Sequence, residues 1–279
     1  MTSSKVSAIF QDAGALYDFM GHAPLDYDSS ENISRVNLGY WHGLNSFAKG
    51  HLSRSNQALF RLVCQNARLS PYDETVVDIG CGFGDVAVLC VNDYHCPNVI
   101  GINISQYQID QSMEKVAQMG LQHRVAIKNM SATDLHFADN SVDKMVSTEA
   151  AFHFDSRIDF FREAFRTLRP GGILSLADMV YNKPRNVIEK SILPHLQDGL
   201  YIPSANIYGF DEYIVKMQEA GFEIIDAKNI TSDVRPYFRR WAFSHPVNLV
   251  INRKISWIFS TIGFLVYPWE YVYVVAKKP

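Results

Sequence analysis

The segment Val77-Asp-Ile-Gly-Cys-Gly-Phe-Gly84 sets three alternate glycines directly behind a run of β-forming residues and ahead of a helical pattern. Glycine there permits a tight turn and lets backbone N–H groups approach a ligand with no Cβ in the way. Such a turn belongs to a wound α/β sheet that binds a ligand at the carboxyl ends of its strands. A dinucleotide fingerprint, G-x-G-x-x-G, needs glycine at the sixth position from Gly80, and that position is Asp85. An acid at a helix start repels a pyrophosphate. No Gly-Lys-Ser/Thr follows, so the loop is not a P-loop either. Asp78 at the strand end suits a ligand carrying a cationic ammonium group. The same string also reads as a purely structural strand-to-helix turn.

The remaining pattern agrees with a wound sheet. Short β-rich runs at Thr75 to Ile79, Asn98 to Ile102, Val125 to Asn129, Val142 to Thr148 and Gly172 to Met179 alternate with helical stretches. The helices are expected at Asp85 to Asp93, Ser105 to Gly120 and Ser156 to Leu168, the last with Phe161, Ala164, Phe165 and Leu168 on one face. Pro170-Gly171-Gly172 then stops the helix and returns the chain to the sheet. Ahead of this core lie helix-like stretches at Ser7 to Met20 and Ser46 to Leu69, separated by a loop segment, Ser34 to Trp41. Behind it, past an irregular stretch after Tyr181, come a helix at Phe210 to Ala220 and strands at Phe222 to Asn229 and Tyr271 to Ala276. The expected organisation is a helical N-terminal cap (1–72), a core (73–180), and lid elements with the last two strands of the same sheet (181–279).

Several function classes are excluded by composition. A net charge of -3 with scattered basic residues supplies no field to hold nucleic acid. The four cysteines form no C-x-x-C pair, so neither a zinc site nor a disulfide framework is indicated. That pattern fits a reducing cytoplasm, and the polar stretch Met1 to Phe10 lacks the apolar run of a signal peptide. Cytoplasmic localisation is expected.

Beyond the glycine loop, four further segments carry a family resemblance: Asn37-Leu-Gly-Tyr-Trp41, Gly101-Ile-Asn-Ile-Ser105 with Gln108, Ser131-Ala-Thr-Asp-Leu135 and Leu168-Arg-Pro-Gly-Gly172. From Asn37 to about Asn229 the chain resembles class I S-adenosylmethionine-dependent methyltransferases of the small-molecule type, the branch of natural-product, tocopherol and sterol enzymes. The resemblance implies a Rossmann-like, doubly wound α/β sheet, mostly parallel with an antiparallel last strand. It also implies S-adenosylmethionine as cofactor, S-adenosylhomocysteine as product, and no metal. The cofactor-binding residues it implies are Asp78, Gly80, Cys81, Gly82, Asn103, Ile104, Gln108, Ser131, Ala132, Tyr40 and Tyr17. Asn103 stands where the family carries an acidic or polar ribose ligand, and Ser131 where it usually carries an aspartate facing adenine; both can still hydrogen-bond. Ser105-x-x-Gln108 is also a helix capping box, a reading that stands beside the cofactor role.

The segment Ser147-Thr-Glu-Ala-Ala-Phe-His-Phe154 follows the fourth strand at the ligand edge of the sheet. Glu149 and His153 are four apart, so in a helical turn they would share a face and form a coupled pair. The stretch is similar to the Glu-Ser-x-x-His of related enzymes, with Ala150 in place of serine. Three readings stand: His153 as general base for an O or N acceptor, Glu149 as carbocation stabiliser and base for an alkene carbon, or both merely positioning and packing. The aromatic, basic-fringed insertion Ser232 to Pro268, with Trp241, Trp257, Phe264 and Tyr267, is expected to be a lid over a small apolar acceptor. Ile255 to Val266 is too short for a span of about 20 apolar residues, although it suits weak contact with a membrane surface.

The expected activity is therefore methyl transfer to an O, N or C atom of a small, largely apolar metabolite in specialised natural-product biosynthesis. Two other classes stand beside it: an enzyme that keeps the cofactor as a structural element and catalyses another reaction such as cyclisation, and a non-catalytic cofactor-binding scaffold.

Overall fold

The computed structural model describes residues 37–45, 50–244 and 267–279. Among these, seven strands form one sheet: β1 (Val76–Ile79), β2 (Val99–Asn103), β3 (Val125–Asn129), β4 (Val142–Thr148), β5 (Leu168–Tyr181), β6 (Glu223–Asn229) and β7 (Trp269–Lys277). Their order is β3-β2-β1-β4-β5-β7-β6. The first five pair in parallel, whereas β7 runs antiparallel to both β5 and β6. The sheet is thus the expected Rossmann-like one with an antiparallel last strand.

Both faces are covered, which explains why β1 reads Val-Val-Asp-Ile with every residue buried. Successive side chains go to opposite faces: Val76 joins one core, Val77 and Ile79 the other. Helices α1 (His51–Asn66), α2 (Asp85–Asn92) and α3 (Gln106–Gln118) pack on the first face, through residues such as Leu59, Val63, Val86 and Val116. The opposite face is covered by α4 (Arg157–Thr167) and, after α5 (Val187–Leu200), by α6 (Phe210–Glu219), through Phe160, Phe161, Tyr213 and Met217. The final helix is α7 (Thr231–Ser244). Strand β1 pairs with both β2 and β4, so the winding reverses there and leaves a crevice at the carboxyl ends of these strands.

Four differences from the sequence reading have physical causes. Strand β5 starts at Leu168, because Arg169 to Gly172 form a bulge between the pairs Val142–Leu168 and Lys144–Ile173 rather than a stop before the strand. Helix α5 fills the irregular stretch after Tyr181 despite Pro194 inside it, with Asn186 as N-cap accepting from Glu189 N–H. Helix α7 occupies the start of the expected lid and belongs to the core: Val234 is buried, and Arg235 donates to the carbonyls of Tyr267 and Trp269. Tyr267 is a core residue and not a lid residue, since it is wholly buried, its hydroxyl donates to Asn182 O at 2.5 Å and its ring lies 6.3 Å from that of Tyr181. Trp241 lies on α7. Tyr17, Trp257 and Phe264 fall outside the described residues, as does the expected helix Ser7 to Met20. No helix among the described residues is long and apolar enough to cross a membrane.

A buried ion pair ties α4 to the sheet. Arg157 Nε donates to Asp178 Oδ2 at 2.9 Å, with both side chains fully buried. The remaining guanidinium nitrogens donate to Asn206 O at 2.7 Å and Met179 O at 2.5 Å, and the rings of Tyr208 and Tyr213 each lie 5.3 Å from the guanidinium carbon. Asp178 Oδ1 accepts from the N–H of Phe152 and of Met179, while Asn206 Nδ2 donates to Phe152 O and Phe154 O. The short 3-10 turn Ala151–His153 is held by these bonds. Asp178→Ala leaves a buried cation without its counter-charge and is expected to destabilise the fold by about 3–5 kcal/mol in urea unfolding. Arg162→Ala, which breaks the exposed pair with Asp159 on the same helix, is expected to change stability by less than about 1 kcal/mol.

Candidate active site

A cavity of ≈ 260 Å³ opens at the carboxyl ends of β1, β2 and β4. The glycine loop forms its floor, the end of β2 and the turn after β3 one side, and the exit of β4 the other. It brings together Asp78, Gly80, Cys81, Gly82, Asn103, Ile104, Gln108, Ser131, Ala132, Glu149 and His153, all expected from sequence. Asn37, Phe60 and Thr148 also line it and were not singled out. Asn37 lies in the segment recognised by resemblance, but its amide carries no motif of its own that points inward.

Gly80 has φ +70°, and a Cβ there would sit 2.4 Å from the Cβ of Ala150. The loop and the exit of β4 therefore close on each other at a distance only glycine permits. Asp78 is buried in β1, and its Oδ2 has no hydrogen-bond partner. Burial pushes its carboxyl up to about 7, the Ala87 N–H offsetting this only in part and Asp85 adding to it. Thr148 Oγ1 and Asn37 Nδ2 are likewise buried without a partner. One acidic oxygen, one hydroxyl and one amide donor left unsatisfied around one cavity fit a zwitterionic amino-acid group, as S-adenosylmethionine presents.

At the end of β2, Asn103 Nδ2 donates to Gln108 Oε1 at 2.8 Å, and Asn103 Oδ1 accepts from Ile104 N–H. Ser105 Oγ caps α3 by accepting from Gln108 N–H at 3.2 Å. The Gln108 side chain turns to Asn103, while Ser105 N–H bonds Asn103 Oδ1. Cap and cavity wall therefore coexist in one turn. Ser131 Oγ accepts from Thr133 N–H at 3.2 Å, and Ala132 is buried. Tyr40 does not line the cavity: its ring stacks on His42 at 5.9 Å, and its N–H donates to Ser55 O.

Glu149 and His153 share the cavity wall but not a helical face, because Glu149 has φ +50° and the 3-10 turn starts only at Ala151. The left-handed backbone at Glu149 is held by its own N–H donating to Ala177 O at 2.8 Å. Its Oε1 accepts from Leu38 N–H and from Tyr271 O–H, each at 2.6 Å. Burial nevertheless raises the carboxyl to about 8, with Asp178 contributing. His153 Nδ1 lies 3.1 Å from Tyr201 O, so Nδ1–H is the donor and the neutral ring carries its lone pair on Nε2. Burial lowers this imidazole to about 4, despite the carbonyls of Tyr201 and Leu200 and with Arg157 adding to the shift. The two groups are displaced in opposite directions: a neutral imidazole and a carboxyl that titrates near working pH. Tyr271, which touches Glu149, sits in an aromatic-rich strand whose pattern reads as core.

The family model described as mycolic acid cyclopropane synthetase matches residues 40–252. The chain is 28% identical over 222 residues to the erythromycin 3''-O-methyltransferase of Saccharopolyspora erythraea, covering 77% of this chain and 71% of that protein. It is 27% identical to the 27-O-demethylrifamycin SV methyltransferase of Amycolatopsis mediterranei, over 78% of this chain and 76% of that one. Among solved structures, the cyclase SpnF superposes with a TM-score of 0.77 at 22% identity, over 97% of both chains. The geranyl diphosphate C-methyltransferase of Streptomyces coelicolor does so with a TM-score of 0.67 at 20% identity, over 82% and 81%.

The three displaced groups make stability depend on pH. Asp78 and Glu149 titrate higher in the fold than in the unfolded chain, so the stability they contribute is present below about pH 4 and is lost as pH rises through about 7 and about 8. His153 works oppositely, losing its contribution as pH falls from about 6.5 through about 4. The ligand-free protein is therefore expected to melt lower at pH 8 than at pH 6, a loss on the order of a few kcal/mol. Thermal melts of Glu149→Gln should show a flatter dependence over the same range.

Proposed function

The chain belongs to the mycolic acid cyclopropane synthetase family, within the class I S-adenosylmethionine-dependent methyltransferases, and on that premise we propose that it methylates a hydroxyl oxygen of a small, largely apolar natural product, with Glu149 as the base. The observation that carries this reading is the placing of a buried carboxyl titrating near 8 in the cavity wall, where Gly80 meets Ala150 across the glycine loop. The names of two relatives, erythromycin 3''-O-methyltransferase and 27-O-demethylrifamycin SV methyltransferase, support a hydroxyl acceptor.

When bound, S-adenosylmethionine supplies a methyl group already activated on a sulfonium, so an acceptor oxygen needs alignment and loss of its proton rather than a metal. Asp78, Asn37 and Thr148 would hold the amino-acid end with the polar atoms that otherwise stay unsatisfied. Asn103 and Gln108, already bonded to each other, would hold the ribose hydroxyls, and Ser131 and Ala132 would border the adenine. Glu149 takes the hydroxyl proton at Oε2, the oxygen not engaged by Leu38 and Tyr271. His153, neutral above about pH 5, borders the acceptor from the cavity wall and adds no charge to it.

This mechanism makes kcat/KM rise with pH toward a plateau above about 8, the limb belonging to Glu149. Glu149→Gln is expected to abolish that limb and lower kcat by roughly 10²–10³-fold, with cofactor affinity within about threefold by calorimetry. Methyl-labelled cofactor should pass its label to the product oxygen. Conversion of the acceptor while the label stays on the cofactor would overturn methyl transfer in favour of a cyclase-like reaction.

A further inference from the structure

Both hydrogen bonds to Glu149 fall on the same oxygen. Leu38 N–H and Tyr271 O–H each reach Oε1 at 2.6 Å, and among the described residues no bond is made to Oε2. An oxygen that accepts two such donors at this distance has no lone pair suitably directed for a proton. The proton that Glu149 binds or releases is therefore confined to Oε2. The two donors come from opposite ends of the described chain, Leu38 from the segment before α1 and Tyr271 from the antiparallel strand β7. Tyr271 is itself wholly buried and cannot swing away to water.

We propose that Tyr271 is a positioning residue for the reaction: its hydroxyl fixes Oε1 of Glu149 as a permanent acceptor and so makes Oε2, on the cavity side, the only oxygen that exchanges a proton with the substrate. The proposal rests on the reading of Glu149 as the base. The Tyr271 hydroxyl does not itself give up a proton, since burial and the neighbouring carboxyl push it well above the ordinary phenol range. It acts as a donor, favouring the ionised carboxylate, and opposes the burial that favours the acid.

The other charged and titratable groups around Glu149 are each committed elsewhere. Asp178 on β5 is paired with Arg157 of α4, His153 is held by the carbonyl of Tyr201, and Asp78 on β1 lines the cavity beside the glycine loop. Tyr271 is thus the one side chain bonded to the Glu149 carboxyl among the described residues. Its strand carries Val272 and Val274 to the opposite core, so register alone decides that a hydroxyl and not a methyl meets Oε1.

The test is Tyr271→Phe, which removes one oxygen and keeps the ring. Carboxyl carbon signals of glutamate-labelled protein, with Glu149 assigned by its disappearance in Glu149→Gln, read the ionisation without substrate or cofactor. The expected result is an upward shift of about one pH unit in the Glu149 titration, the kcat/KM limb moving with it. A fall in kcat of about tenfold should accompany it, with cofactor Kd within about twofold. Tyr271→Phe made on Glu149→Gln should add no further loss, because the hydroxyl acts through the carboxyl. An unmoved titration in a variant that melts like the parent overturns the proposal. Full turnover in Glu149→Gln overturns instead the reading of Glu149 as the base, and with it the catalytic purpose of the clamp, while the carboxyl titration still reports the clamp itself.

Discussion

A guanidinium withdrawn from water has to be answered atom by atom, and Arg157 is answered by groups from three separate parts of the chain: strand β5, the segment before α6, and α6 itself. Asp178 brings β5, Asn206 brings the 3-10 turn before α6, Met179 adds a strand carbonyl, and Tyr208 and Tyr213 present ring faces. Desolvating such a pair is expensive, and it is tolerated only when the remaining donors and lone pairs are filled. What the arrangement yields is a fixed turn. Asp178 and Asn206 between them bond Phe152 at both its N–H and its carbonyl, so the residues flanking His153 are set by the ion pair. The same negative charge on Asp178 reaches Glu149 and adds to the upward displacement of its carboxyl. A structural ion pair outside the cavity thus shapes both Glu149 and His153 inside it.

Two carboxyls of the cavity, Asp78 and Glu149, are displaced by the same cause and differ in how they are compensated. Asp78 keeps an oxygen with no donor, a debt that a cationic ligand group cancels on binding. Glu149 has one oxygen saturated by two donors and stays near neutrality in its titration. On the proposed reading, placing the less compensated acid at the glycine loop and the more compensated one at the exit of β4 separates holding from reacting. A ligand cation is drawn to the acid that gains most from it. The other carboxyl keeps its capacity to exchange a proton.

The part of the cavity built from the glycine loop and the end of β2 is legible in the sequence because it is made of local chemistry. Three glycines, a strand before them and a helix after them lie within one turn, and Gly80, Asn103 and Gln108 act within a few residues of a strand end. The residues that escaped notice act across long stretches of chain. Tyr271 bonds a residue 122 positions away, and Leu38 one 111 positions away. In β7, the Tyr-Val-Tyr-Val alternation reads as core on both faces, and only the register against β5 turns one tyrosine toward Glu149. Helices α5 and α7 were passed over because each carries an internal proline, which weakens a helical reading although tertiary packing overrides it. Tyr267 was assigned to the lid because an aromatic among basic residues looks like a surface. Its hydroxyl and the guanidinium of Arg235 instead satisfy backbone carbonyls inside the fold.

The pairing of Glu149 with His153 shows a subtler difference, since their spacing of four suggested a helical face that the backbone does not adopt. Glu149 takes a left-handed conformation because its N–H must complete the β4 ladder on Ala177 while its side chain turns back to Leu38 and β7. A helical turn at Glu149 would give up that ladder bond and carry the carboxyl off Tyr271. The 3-10 turn beginning at Ala151 then sets His153 against the C-terminus of α5, where the backbone carbonyls of Leu200 and Tyr201 fix its tautomer. Each ionisable group is therefore anchored to a different element, the carboxyl to the sheet and the imidazole to α5. A displacement of α5 can move the imidazole against the acceptor without disturbing the carboxyl or the cofactor loop. With Glu149 as the proposed base, that separation lets the helix after β5 be remodelled around a different acceptor while the proton-accepting oxygen stays where the sheet holds it.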